Sequence, residues 1–217
     1  MIRILSFILP TIILLISCQS TTKTEEVDVS ATEAIVENMG KEIQEDDPFT
    51  YTTKSGKKFV VKIDTTGPFS LQTILISTVG FENQERFHLK EIDPVEDIFL
   101  ADLNSDGFEE IYITTRSMGS GGYSSLYGYS SNKDKSVSII TIPDLIEMGP
   151  DTEGLFEGFS GQNSYSLDEG RLLNTFPIYL PGDSNAQNTG GDAKIYYRLE
   201  AGEAGWKLKP LKPENIS

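Results

Sequence analysis

One cysteine and one histidine are all that 217 residues offer for thiol, imidazole or soft-metal chemistry. A zinc centre built from the usual Cys and His ligands is therefore excluded. No disulfide can close within the chain, and a Ser-His-Asp triad would have to use His88 alone. Basic residues are scarce as well: 18 Lys and Arg stand against 33 Asp and Glu, a net charge of −15. Nucleic acid needs clustered Lys and Arg to neutralise its phosphates, so it is excluded as a partner. A cationic protein or a divalent ion suits this charge. Only two-carboxylate chemistry stays open to an enzyme, and no spacing among the acids selects a pair. The chain is read as a non-enzyme. Nor does any apolar run reach the ~20 residues of a membrane-spanning helix; the longest is Phe7 to Ile16, interrupted by Pro10.

That short run is still informative. Met1 to Ser17 carries Arg3, no acid and the apolar stretch, the layout of an export signal. It ends in Leu15-Ile16-Ser17-Cys18, which resembles a bacterial lipobox, where a small residue precedes the cysteine that takes the lipid. The resemblance implies cleavage after residue 17, lipidation of Cys18 and attachment to a membrane of the cell envelope, periplasmic or surface-facing. The mature chain would hold 17 basic and 33 acidic residues, a charge of −16. Residues 18–47 are rich in Thr, Ser and Glu and poor in aromatics, the composition of a tether. Within them Ser30-Ala31-Thr32-Glu33 has the form of a capping box ahead of Ile35, Val36, Met39 and Ile43, so a short helix competes with a disordered acidic leash.

After Pro48 the texture changes to short runs of Val, Ile, Phe, Tyr and Thr, broken about every ten residues by Gly, Asn and Asp. This predicts one all-β domain over 48–217, an antiparallel sandwich or flattened barrel of about eight to ten strands. Lys58 to Asp64 alternates, and Leu71 to Val79 reads as a second strand. Arg86 to Ile92 turns Phe87 and Leu89 inward and His88 and Lys90 outward; Ser136 to Ile142 is a β-branched run. Asp168-Glu169-Gly170 reads as a three-residue hairpin connection with Gly in the left-handed position. Lys194 to Leu199 pairs with Trp206 to Leu208. Two long polar loops remain, Gly149 to Asn163 and Pro181 to Asp192, candidates for function or for plain connection.

The densest signals lie between Ile98 and Tyr129. Asp102, Asn104 and Asp106 alternate, Gly107 permits a sharp bend, and Glu110 follows. The simpler reading is a turn whose Asp and Asn side chains bond local amides. The other is a structural Ca²⁺ held by Asp102, Asn104, Asp106, Glu110 and the Phe108 carbonyl, the only cofactor the chain suggests. An EF-hand is excluded, because the twelfth position is Ile113 and a strand follows in place of a helix. Ser117 to Tyr123 then forms a glycine-rich tip. It is no phosphate-binding loop, since neither Lys-Ser/Thr nor a helix follows the glycines.

The run DLNSDGFEEIYITTRSMGSGGYSSLYGY, in an exported and lipid-anchored chain, resembles the periplasmic inhibitors of invertebrate-type lysozyme from Gram-negative bacteria. In that family a strand, an Asp-Gly turn, a second strand and a Ser-Gly-x-Tyr loop occur in this order. Here Ser120-Gly121-Gly122-Tyr123 matches that loop. The resemblance covers Lys57 to Pro210 and implies a β-sandwich, a lysozyme as protein partner, and a loop that enters its cleft and blocks it. The alternative is a calcium-stabilised surface module binding glycan or protein, with Tyr123, Tyr127 and Tyr129 as its platform; Tyr127 and Tyr129 also share one face by alternation, as core residues would.

The cysteine assignment has a direct test. Cys18→Ala is expected to abolish lipidation and move the protein from the membrane fraction to the soluble fraction, read by fractionation and immunoblot. An unchanged membrane fraction would overturn it.

Overall fold

The alternation of apolar and polar residues resolves into twelve strands. The computed structural model describes residues 48–143, 145, 154–184, 186–203 and 205–212. The expectations for residues 1–47, namely the signal peptide, Cys18 and the tether, lie outside them, as do residues 149–153 of the first long loop. Strands β1 (Phe49–Thr52), β2 (Lys58–Asp64), β3 (Gln72–Val79) and β4 (Arg86–Ile92) form an antiparallel sheet in sequence order. Strands β5 (Val95–Ala101), β6 (Glu110–Arg116), β7 (Ser124–Asn132), β8 (Ser136–Thr141), β9 (Ser164–Asp168), β10 (Arg171–Pro177), β11 (Asp192–Ala201) and β12 (Trp206–Pro210) form the second sheet. Its order is β5-β6-β7-β8-β12-β11-β10-β9. Every pairing is antiparallel except β8 with β12, a parallel junction of two residue pairs, Trp206 with Ile140 and Lys207 with Thr141.

This is the all-β, two-sheet protein expected, with more strands than the eight to ten anticipated. Strand β1 was not anticipated: Phe49-Thr50-Tyr51-Thr52 does alternate, but the run is only four residues long, and only Tyr51 of it is even half-buried. The junction β8–β12 was also invisible, because parallel pairing joins segments far apart in the chain.

The eight-stranded sheet curls into a half-barrel, and the core divides accordingly. On one face of β6 and β7, Ile111, Ile113 and Tyr129 pack against Phe59, Val61, Ile74 and Ile76 of the small sheet. On the other face, Tyr112 and Leu126 meet Leu172, Phe176, Ile195, Tyr197, Leu199 and Leu208 from the curled half. Strand β6 is thus covered on both sides, and each of its residues from Glu110 to Thr115 is buried. A strand covered on both faces needs apolar or hydrogen-bonding residues at every position, which explains the unbroken Ile-Tyr-Ile-Thr-Thr run. Tyr112 lies opposite Gly128 on β7. A Cβ at Gly128 would sit 3.0 Å from the Tyr112 ring and 2.9 Å from Ile140, so the missing side chain makes room for the phenol.

Two details differ from expectation. The β9–β10 connection has two residues, not three: Asp168 pairs with Arg171, and Glu169 and Gly170 both take positive φ (50° and 80°). That is the type I′ geometry whose twist matches the flanking strands. Tyr129 is core and Tyr127 packs beside it, so these two rings form no exposed platform. On β4, Phe87 and Leu89 turn inward and His88 and Lys90 outward, as the alternation required.

The double burial of β6 sets an expectation. Ile113→Ala should cost about 2–5 kcal/mol in urea denaturation through cavity formation. Ile139→Ala, at a side chain 63% exposed, should stay within about 0.5 kcal/mol. Equal costs at the two positions would contradict the layering.

Candidate functional site

Strand β6 has one candidate at each end. The acidic turn leads into Glu110, and the glycine-rich tip leaves from Arg116. Six residue steps of extended chain separate them by about 20 Å, so they are two sites and not one.

In the acidic turn, side chains take the place of backbone partners. The Asp106 amide donates to Asp102 Oδ1 (3.1 Å) and Asn104 Oδ1 (3.0 Å), and the Gly107 amide to Asp102 Oδ2 (2.9 Å). The Phe108 amide donates to Asp106 Oδ1 at 2.9 Å. Gly107 has φ +88°, where a side chain would be strained. The local hydrogen-bonded turn is therefore present as read from the sequence. Glu110 is different: it is fully buried, its Oε2 accepts the Leu103 amide at 2.9 Å, and its Oε1 has no hydrogen-bond partner. Asp102, Asp106 and Glu110 each bring a carboxylate oxygen within 4.8 Å of the others. Burial, then the charges of Asp102 and Asp106, push the Glu110 pKa up to about 8. Its neighbour Glu109 belongs to another contact, bonded to the Lys54 amide (2.7 Å) and ammonium (3.2 Å).

At the other end, the tip is braced and not free. The Ser117 amide donates to the Tyr123 carbonyl (2.8 Å), and the Gly122 amide to the Gly119 carbonyl (3.0 Å), closing a turn through Ser120 and Gly121. Three successive carbonyls are then held, two from the first long loop and one from the end of β6. Gln162 Nε2 donates to Ser120 O (2.9 Å), the Gln162 amide to Gly121 O (2.7 Å), and Arg116 Nη1 to Gly122 O (2.9 Å). Arg116 is itself fixed by a two-pronged pair with Glu96, at 2.7 and 3.1 Å. Below the tip, the buried Asn163 bonds both the amide and the carbonyl of Ser124, each at 2.9 Å. Gly161 packs so closely that a Cβ there would lie 2.1 Å from the Gly121 carbonyl oxygen.

Of the four tip residues, Ser120 is exposed, Gly121 and Tyr123 are half-buried and Gly122 is buried. Tyr123 does not stand free on the tip: its ring is edge-on to Phe159 with centroids 5.9 Å apart. The residues that hold the tip, Gln162, Asn163 and Phe159, come from the first long loop. No local pattern marks them, because their role depends on a contact some forty residues away.

The fold and these two sites define an all-β protein whose central strand carries an acidic turn at one end and a braced glycine loop at the other. Comparison with protein-family models gives no match, and comparison with curated proteins gives none either.

The brace predicts its own weak point. Asn163→Ala leaves the Ser124 amide and carbonyl unpaired in a buried place and should cost about 2 kcal/mol or more. Gln162→Ala, at the surface, should cost about 1 kcal/mol while speeding amide exchange across Ser120 to Tyr123, measured by thermal melts and hydrogen exchange. An Asn163→Ala variant as stable as the parent would refute the brace.

Proposed function

We propose that the chain is a lipid-anchored envelope protein that binds a lysozyme and blocks its cleft with the Ser120-Gly121-Gly122-Tyr123 loop. The observation that carries this reading is the bracing of the tip. Its carbonyls at Ser120, Gly121 and Gly122 are taken by Gln162 and Arg116. The Ser120 and Gly121 amides and the Ser120 hydroxyl are outside all of these bonds. At the apex of the tip the carbonyls are taken, while the Ser120 and Gly121 amides stay available as donors.

A lysozyme cleft offers the complementary set: two carboxyl groups, one protonated and one ionised, above a sugar-binding floor. Amides and a hydroxyl presented on a narrow loop fit those acceptors, and bonds to an ionised carboxylate are the stronger kind. Because the loop is ordered before contact, its ordering cost falls on folding and not on binding. Tyr123, on the flank, meets the cleft wall with its ring, and Met118, 60% exposed, adds apolar contact beside the turn. Inhibition is by occupation, with no bond made or broken. The charge of −16 after signal removal speeds encounter with a cationic lysozyme and acts mainly on association rate.

A binding titration against a panel of lysozymes, with lysis of a cell-wall suspension as the functional readout, tests the reading. Ser120→Ala should weaken binding by about thirtyfold, roughly 2 kcal/mol, with little change in melting temperature. Tyr123→Phe isolates the hydroxyl, whereas Tyr123→Ala also loosens the tip by removing the ring that packs on Phe159. Binding to no lysozyme, or full affinity in a folded Ser120→Ala/Tyr123→Phe double variant, would favour the other reading, a surface module that binds glycan or protein.

A further inference from the structure

The acidic turn departs from an ordinary hydrogen-bonded turn at one atom. Asp102, Asn104 and Asp106 satisfy nearby amides, as such turns do. Glu110 instead carries its carboxyl into the interior beside the buried Tyr112 hydroxyl, and neither Oε1 nor that hydroxyl closes a hydrogen bond. Buried polar atoms are nearly always paired, and a buried carboxylate oxygen is among the costliest to leave alone. Asp102 and Asp106 each bring a carboxylate oxygen within 4.8 Å of the Glu110 carboxyl. Among the described residues the ion pairs involve other acids, Glu96, Glu109, Glu169 and Glu200, and none reaches these three. Like charges gathered around an unpaired buried oxygen are stable only with something positive between them.

We propose that Asp102, Asn104, Asp106 and Glu110 hold one Ca²⁺, with the Phe108 carbonyl and water completing the oxygen set. The donors are all oxygen and include no nitrogen or sulfur ligand, which selects a hard cation. They sit on a short bent loop plus the first residue of a strand, an adaptable arrangement suited to the six to eight ligands of Ca²⁺ and not to the strict octahedron of Mg²⁺. The turn's own amides then act as outer partners: by bonding one lone pair of Asp102 and Asp106 they fix where the others point. The competing occupant is a single proton on Glu110, favoured by the burial and the neighbouring charges that raise its pKa to about 8. A dication answers the same field with twice the charge and engages all three carboxylates at once, where a proton serves at most two.

The experiment uses the full-length chain stripped with EGTA, titrated with CaCl₂ and with MgCl₂ by calorimetry and followed by thermal melts. One Ca²⁺ per chain should bind, raise the melting temperature by several degrees at a hundredfold excess over its dissociation constant, and not be replaced by equimolar Mg²⁺. Asp106→Asn, which keeps shape and its bond from the Phe108 amide, should weaken Ca²⁺ binding at least tenfold. Glu110→Gln should lose most of the Ca²⁺ response, yet in EGTA melt at or above the parent, because a neutral amide carries no charge into the core. A parent protein indifferent to Ca²⁺, an equal response to Mg²⁺, or Ca²⁺ binding unchanged in both variants would each overturn the assignment. No lysozyme enters these measurements, so their outcome is independent of the inhibitory reading.

Discussion

The burial of β6 on both faces is the constraint from which the rest follows. A strand with a core on each side can have no solvent-facing register, so Ile111 and Ile113 are committed to the small sheet and Tyr112 to the curled one. A slip by one residue would exchange the two cores and strand Glu110 on the wrong side. The loops at its two ends therefore start from fixed backbone. This is what suits the eight-residue acidic turn (Asp102 to Glu109) and the seven-residue glycine tip (Ser117 to Tyr123) to be sites: both are short segments mounted on a strand buried on both faces, where geometry is held best.

The two ends use that anchorage in opposite ways. At the turn, side-chain carboxylates replace backbone acceptors and gather negative charge around a buried oxygen. At the tip, neighbouring side chains cap backbone carbonyls and leave amides and a hydroxyl outward. One end collects acceptors and the other presents donors. The long loop that supplies Gln162 and Asn163 is thereby part of the tip, although the sequence separates them by forty positions.

What was legible in the sequence was whatever acts locally. Alternation in Lys58 to Asp64 and in Arg86 to Leu89, the unbroken apolar run of β6, and the Asp-Asn-Asp-Gly spacing each state their structure within a few residues. What was not legible depended on distance. The parallel contact of β8 with β12 links residues 140 and 206, and the clamp on Ser124 comes from Asn163. Strand β1 failed for a different reason: its aromatic/Thr alternation runs for only four residues, too short to stand out beside Pro48. The packing of Tyr123 on Phe159 was out of reach for the same reason as the Asn163 clamp, because no local rule supplies a ring from another loop.

The parallel junction between β8 and β12 is only two residue pairs long, yet it joins the two antiparallel halves of the eight-stranded sheet. So short a ladder contributes few of the hydrogen bonds in that sheet. The halves are held together instead by the side chains of the enclosed core, where Tyr112, Leu126 and Ile140 from one half meet Leu172, Phe176 and Leu208 from the other. The curvature of the half-barrel is accordingly a property of side-chain volume more than of backbone pairing. It also means that the last strand of the chain must arrive before the sheet is complete. A polypeptide emerging from its N-terminus can assemble β1 to β8 early, but the enclosed core stays open until the β11–β12 hairpin docks, so closure is a late and long-range event in folding.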